Sequence, residues 1–324
     1  MPNSLLLFSV VIPLYNKEAT VARAIKSVLN QTMQDFEIVV VNDGSTDKGP
    51  DIVSAIKDLR IRLIHQKNQG VSAARNKGIA EARGPWIAFL DADDWWEANF
   101  LETIKRLTNL SADIVLCATA YQYSVEQNGN IHISYPRLNN IPKGHWEGIL
   151  EDYFAACINS DSPVWTSAVA AKRTTLKAVG GFEEGLQEGE DLLTWAKLAC
   201  KGSVAYSTLK CANWYKDLST KNYLLRKPDT NNIVGSKLRE LRLQATLHMQ
   251  KSLRKYEAAW HINLAIVLLQ RFMYSNARNS ALRAFYVHPY TAKKAIGVIM
   301  ISLLPHNFIE IFFNARRKQN LKNK

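Results

Sequence analysis

Over the first ninety residues, apolar positions arrive as short unbroken runs separated by stretches of helical period. Leu5–Ile12 is a continuous β-rich run, the pattern of a strand buried on both faces. Val21, Ala24, Ile25, Val28 and Leu29 then recur at helical spacing within Thr20–Leu29. Phe36–Val41 repeats the buried-strand pattern and ends on Asn42-Asp43-Gly44-Ser45-Thr46-Asp47. Ile52–Leu59 predicts a helix, Ile61–Ile64 a short strand, Val71–Ala82 an Ala-rich helix, and Trp86–Leu90 another strand. Such alternation predicts an α/β fold with a doubly wound, mostly parallel sheet. Ligands bind such sheets beyond the carboxyl ends of the strands. Asn16, Asp43 and Asp91 all stand at such ends.

Further along, the pattern loosens. Ile114–Ala118, Tyr121–Val125 and Ile131–Tyr135 are strand-like patches, and Gly144–Leu176 has no dominant period. Glu190–Ala199 is helical, with Leu192, Leu193, Ala196 and Ala199 on one side. After Pro228 the chain turns to Lys-, Arg- and Leu-rich helices, predicted over Lys237–Tyr256 and Ala258–Tyr274. The polar segment Lys227–Asn232 is the expected boundary between an α/β unit, residues 1–228, and a helical C-terminal extension, residues 229–324. No internal repeat is visible.

Composition changes this picture in one respect. The chain has 324 residues, 47% of them hydrophobic, enough for one large or two modest domains. Its net charge is +12, but residues 230–324 hold 16 Lys and Arg against 3 Asp and Glu. The basicity belongs to the extension alone. There, Ala295–Phe313 is apolar but interrupted by Pro305-His306-Asn307 and Glu310, which leaves it too short to span a bilayer. Lys293-Lys294 and Arg316-Arg317-Lys318 flank it, as in a helix pair lying on an anionic membrane surface. A helical cap on the α/β unit with a solvated basic face is the alternative, and both readings stay open. Cys117, Cys157, Cys200 and Cys211 lack paired or zinc-like spacing, which fits reduced thiols in a cytoplasmic protein. The first residues lack a basic leader and read as a strand rather than a signal peptide.

The candidate chemistry is concentrated in Asp91-Ala92-Asp93-Asp94, directly after an apolar strand. Three carboxylates this close repel one another, and desolvating each costs several kcal/mol without a partner. A hard divalent cation would relieve the repulsion; a helix N-cap is the plainer use of the same residues.

Ser9-Val10-Val11-Ile12-Pro13-Leu14-Tyr15-Asn16, Val40-Val41-Asn42-Asp43-Gly44-Ser45-Thr46-Asp47, Asp91-Ala92-Asp93-Asp94 and Gly189-Glu190-Asp191 occur in that order. Val179-Gly180-Gly181-Phe182 precedes the last of them. Together they resemble the inverting family 2 glycosyltransferases of GT-A fold, a group rich in bacterial cell-surface polysaccharide enzymes. The likeness runs from about Phe8 to about Tyr215. It implies a nucleotide-binding half, about residues 1–110, and an acceptor half, residues 111–228. Asp43 would read the base, with Pro13, Tyr15 and Asn16 beside it, although Asn42–Ser45 also suits a plain turn. Arg75, in Gly70-Val71-Ser72-Ala73-Ala74-Arg75-Asn76, would lie near the nucleotide; a surface arginine on an Ala-rich helix is the alternative.

The same resemblance makes Asp93 the main ligand of Mn²⁺ or Mg²⁺ and puts Asp91 at the ribose or metal. Asp94 is left open, with capping of a helix begun by Trp95-Trp96 as one role. Asp191 would be the general base of a single inverting displacement, or, more plainly, an acid favouring the first turn of its helix. Trp165 and, in support, Glu190 would face the acceptor; Trp165 equally suits a core position. The expected activity is transfer from a nucleotide-diphosphate sugar, UDP before GDP, to a saccharide or lipid-linked hydroxyl. The expected location is cytoplasmic, peripheral on the inner membrane face. A sugar-nucleotide pyrophosphorylase would call for a Gly-rich basic N-terminal loop, absent here. A nucleic-acid-binding protein would leave the carboxylates unexplained, so no nucleic acid is expected.

Overall fold

The structure, a computed structural model, describes residues 6–127, 130–158, 160–217 and 226–309. Leu5, the end of the apolar run at Phe313 and the basic flank Arg316–Lys318 lie outside the described residues.

The first half alternates as its pattern predicts: β1 (Phe8–Leu14), α1 (Val21–Leu29), β2 (Phe36–Asp43), α2 (Gly49–Ala55), β3 (Ile61–Gln66), α3 (Val71–Glu81) and β4 (Trp86–Phe89). β1 pairs in parallel with both β2 and β4, and β2 in parallel with β3. A strand with parallel neighbours on both edges and helices on both faces must be apolar throughout, hence the unbroken runs. Side chains alternate in β1: Val10, Ile12 and Leu14 join Val21, Ile25 and Val28 of α1 in one core, while Val11 meets Ile79 of α3 in the other. The approach of α3 needs Gly78, where an added Cβ would sit 2.3 Å from Val11. α2 starts three residues before the predicted Ile52 and ends at Ala55, short of Leu59.

The second half comprises β5 (Trp95–Trp96), α4 (Phe100–Thr108), β6 (Ile114–Gln127), β7 (Asn130–Ser134), β8 (Glu147–Ile149), α5 (Tyr153–Ala156), β9 (Val169–Lys172), α6 (Arg173–Ala178), α7 (Glu190–Ala199) and β10 (Ser203–Asp217). Strand order across the sheet is β3-β2-β1-β4-β9-β6-β10-β5, with β7 beside β6 and β8 beside β10. The antiparallel β9 stitches the parallel first half to the long pair β6 and β10.

Two expectations change. The patches at Ile114 and Tyr121 are one strand: Thr119 and Ala120 between them stay paired with β10. Trp95-Trp96 opens no helix; it pairs antiparallel with Asn213 and Ala212, and the next helix starts only at Phe100.

The extension forms α8 (Ile233–Gln244), α9 (Leu247–Gln270), α10 (Tyr274–Val287) and α11 (Ala292–Ile301). The break falls at Ala245–Thr246, both extended, rather than near residue 257. Glu257 instead sits inside α9, buried and paired with Arg242 at 2.7 Å. Val234 and Leu238 of α8 and Leu253 of α9 share a core with Leu193, Trp195 and Leu198 of α7. So α8 and α9 cap the α/β unit. α10 and α11 stack on α9 through Ala277, Ala281, Ala284 and Ala295. Among the described residues no helix is long and apolar enough to cross a membrane. Ile296, Met300, Leu303, Leu304 and Phe308 are exposed at this distal end.

Candidate active site

The carboxyl ends of β1, β2 and β4 come together, and a separate loop tightens each. After β1, Asn16 takes the left-handed conformation (φ 51°), which an Asn side chain tolerates. Its Oδ1 accepts from Thr46 N at 2.8 Å and its own N–H donates to Ser45 Oγ at 3.2 Å, tying the first loop to the second. Asp43 is buried at the end of β2. Its carboxylate accepts from Gln66 Nε2, Gln69 N and Gly70 N at 2.8, 2.9 and 2.8 Å, which fixes the entry to α3. Three acceptor directions are thus taken within the chain, and a carboxylate has about four. Asp47 steadies the start of α2, accepting from Gly49 N at 3.0 Å. Pro13 lies within β1 and Tyr15 is exposed just beyond it.

Arg75 is the hub. Projected from α3 and 3% exposed, its guanidinium donates to Asp91 at 2.8 Å and to Glu190 at 3.1 Å. Burial pulls its pKa down, but the charges of Asp91 and Glu190 outweigh that and hold it above its ordinary value. Burial also pushes the Glu190 carboxyl up, aided by Asp191 and opposed by Arg75. Glu190 therefore faces Arg75 inside the protein. The adjacent Asn76 clamps the Gly181-Phe182 turn, accepting from Phe182 N at 2.8 Å and donating to Phe182 O at 2.9 Å. Phe182 in turn packs edge-on against Phe89 and Trp195. Arg75-Asn76 and Gly181-Phe182 act as one joint between the two halves.

The acidic cluster divides three ways. Asp91 pairs with Arg75, and its backbone N–H donates to Ser167 Oγ at 3.0 Å. Asp93 meets Lys17 Nζ at 2.5 Å, while its carbonyl accepts from Arg23 at 2.7 Å. Asp94 is no helix cap. It is 1% exposed and accepts from Ser167 Oγ at 2.5 Å, Tyr215 N at 2.9 Å and Trp165 Nε1 at 3.4 Å. Burial first, then the charges of Asp93 and Asp91, raises its pKa well above the usual carboxylate range. Asp94 is the pin between the cluster and the second half of the sheet, at Ser167 and Tyr215.

Asp191 lies in the first turn of α7, where the helix N-terminus favours an anion. Its carboxylate accepts from Thr166 Oγ1 at 3.0 Å and Leu192 N at 2.7 Å. Trp165 is part-buried and stacked on Trp214, ring centroids 4.3 Å apart. Tyr123 leans on Trp214 and Tyr121 on Trp165, forming an aromatic wall next to Asp94. Lys17, Arg23 and Trp214 went unnoticed in the sequence. Lys17 follows directly on Tyr15-Asn16, the one local hint.

The residues present suit a hard cation only in part. Among the described residues, no group of three or more His, Cys, Asp or Glu side chains is arranged to enclose a metal. Asp91 and Asp93 nonetheless each keep one carboxylate oxygen free of hydrogen bonds among those residues. Mg²⁺-type ions commonly bind through one or two carboxylates and complete their shell with substrate phosphates and water. The donor set fits that mode.

Residues 9–161 match the sequence profile of glycosyl transferase family 2. A putative glycosyltransferase of Bacillus subtilis, EpsH, is 44% identical over 117 residues, 36% of this chain and 34% of its own. The chain thus spans about a third of that relative. The minor teichoic acid biosynthesis protein GgaA of the same organism is 30% identical over 204 residues, 60% of this chain and 44% of its own. Residues 1–349 of TarS from S. aureus, solved with UDP-GlcNAc, superpose with a TM-score of 0.65 at 18% identity, covering 91% of this chain and 90% of that one. At that identity the likeness is one of fold: the sheet and its helices are of GT-A type.

Proposed function

Since residues 9–161 place the chain in glycosyl transferase family 2, we propose that the protein transfers a sugar from a nucleotide-diphosphate donor, UDP-linked, to a hydroxyl of a saccharide or lipid-linked acceptor in cell-surface polymer synthesis. The observation that carries the reading is the Arg75 bridge. It holds Asp91, from the donor-side cluster, and Glu190, the neighbour of Asp191, on one buried guanidinium. Asp191 accepts the proton of the acceptor hydroxyl as that oxygen attacks the anomeric carbon. The bond from that carbon to the diphosphate breaks on the opposite face, and the configuration inverts. Asp93 and Asp91 would hold the divalent cation, Mn²⁺ or Mg²⁺, which when bound offsets charge on the departing diphosphate. Asp43 and the loop around Tyr15 and Asn16 receive the nucleotide. The wall of Trp165 and Trp214 offers apolar faces to the C–H face of an acceptor ring.

A thermal-shift panel of nucleotides with and without Mn²⁺ tests this, because stabilisation rises with ligand occupancy. UDP with Mn²⁺ should raise Tm, and Asp93→Asn should lose the Mn²⁺-dependent part. A panel without any shift overturns the reading. Peripheral attachment to the inner membrane face belongs to the same proposal. Its support is the exposed set Ile296, Met300, Leu303, Leu304 and Phe308 beside Lys293 and Lys294. Cosedimentation with phosphatidylglycerol-containing but not pure phosphatidylcholine vesicles is expected; equal sedimentation with both removes the electrostatic part.

A further inference from the structure

The residues just before α7 are held in part by the extension. Gly189, the residue preceding α7, has φ +85°, and a Cβ added there would stand 2.4 Å from the ring of Trp260 in α9. The glycine is needed twice, for the backbone angle and because an indole edge occupies the space a side chain would take. Glu188 is paired with Arg271, just past the end of α9, at 2.6 Å. Gln187 accepts from Lys227 N at 2.8 Å. Two consecutive residues, 188 and 189, thus meet partners in the extension, and Gln187 meets Lys227 at its boundary. Tyr256, one helical turn before Trp260, is buried close enough for the charge of Asp191 to act on its phenol.

We infer that α9 is a positioning element of the active site, with Trp260 fixing the first turn of α7 and hence the direction of the Asp191 carboxylate. The inference rests on Asp191 as the base. The Asp191 carboxylate itself accepts from Thr166 Oγ1 and Leu192 N, and its neighbour Glu190 is held by Arg75. Loosening Gly189 frees that first turn and alters both bonds. Donor groups are held elsewhere: Asp43 by Gln66, Gln69 and Gly70, Asp91 by Arg75 and Asp93 by Lys17. Chemistry and donor binding should therefore separate in variants of Trp260.

The test uses the full chain with UDP and Mn²⁺ in calorimetry, and UDP-N-acetylglucosamine turnover as the rate. Trp260→Ala should lower kcat by about 10- to 100-fold, the scale of a misaligned general base. UDP affinity and donor KM should stay within about twofold, since no donor contact is removed. Trp260→Phe keeps a ring and should recover most of the rate. Gly189→Ala should lower kcat in the wild-type background and by a smaller factor in Trp260→Ala, where the indole is gone. An unchanged kcat, or a fall in kcat matched by a fall in UDP affinity, overturns the inference and leaves the glycosyltransferase reading standing. Absence of UDP binding in the unmodified protein defeats that reading as well, so the two failures are distinct.

Discussion

On the proposed assignment, the donor side and the base side of the site are held from different parts of the chain. On the donor side, Asp91 has Arg75, Asp93 has Lys17, and Asp43 takes three hydrogen bonds from the loop entering α3. Position there is set by charge and hydrogen bonding between strand-end loops of one unit. On the base side, Gly189 is set by an indole and Glu188 by an arginine, both from a helical layer that begins some forty residues later. A polar rim tolerates a ligand that brings its own charge, since partners can be exchanged. A base that must meet one hydroxyl in one orientation gains more from close packing. The two sides should therefore fail differently when cut.

The largest difference is expected at the base itself. Asp191→Asn keeps the size and one acceptor oxygen but cannot take a proton, and kcat should fall by about 10³- to 10⁴-fold. UDP affinity measured by calorimetry should hold, because the donor rim is untouched. Turnover within tenfold of the unmodified protein would sink the assignment.

Next comes the hub. Arg75→Met leaves Glu190 buried without its cation, and removing one partner of a buried pair costs about 3–5 kcal/mol. Urea unfolding should register that loss. Adding Glu190→Gln should restore a large part of it, since the stranded charge is then gone. Equal stability of the single and double variants would mean that Arg75 acts only through Asp91.

What the sequence disclosed follows the same division. Strands β1, β2 and β4 were legible because burial on both faces forces unbroken apolar runs, and their ends located Asn16, Asp43 and Asp91. The joint at Arg75 was not, since its second partner lies 115 residues away and no local pattern links them. Trp95-Trp96 misled because two residues carry no period; only pairing with Asn213 makes them a strand. The role of Asp94 stays open in the sequence for the same reason, its partners Ser167 and Tyr215 being 73 and 121 residues distant. The break in the extension, predicted between Tyr256 and Ala258, falls at Ala245–Thr246 instead, with Glu257 buried inside α9 against Arg242.

A third contrast is with pH. His261, in α9, is 3% exposed, and burial, with a smaller push from Arg283, brings its imidazole down to about 4. A lowered histidine pKa means the unfolded chain binds the proton first. Its contribution is full above about 6.5 and is lost as pH falls towards 4. At 1.36 kcal/mol per pKa unit the span is about 3 kcal/mol. Other groups titrate in this window, so the readout is the difference between the unmodified protein and His261→Gln in urea unfolding. That difference should shrink steadily from pH 7 to pH 4; a constant offset would show that the imidazole does not titrate with folding.

The smallest effect on stability, and the sharpest on the comparison, belongs to Lys17. Its ammonium and the Asp93 carboxylate are 39% and 30% exposed, and ion pairs so open to water contribute about 0–1 kcal/mol. Lys17→Met should thus leave Tm almost unchanged. Asp93 would keep its place, because its carbonyl is held separately by Arg23 at 2.7 Å. The backbone of Lys17 is held too, by Asn16 on Thr46 and by Glu18 N on Asp47 Oδ2 at 2.8 Å. Only the side chain is at liberty to exchange Asp93 for a phosphate oxygen. Losing it should weaken UDP binding in saturating Mn²⁺ by about tenfold, the worth of one charge-assisted hydrogen bond. Trp260→Ala, by contrast, should leave that same affinity alone while slowing turnover. If Lys17→Met slows turnover at unchanged UDP affinity, the division of the cleft into a charged donor rim and a packed base wall is wrong at its simplest point.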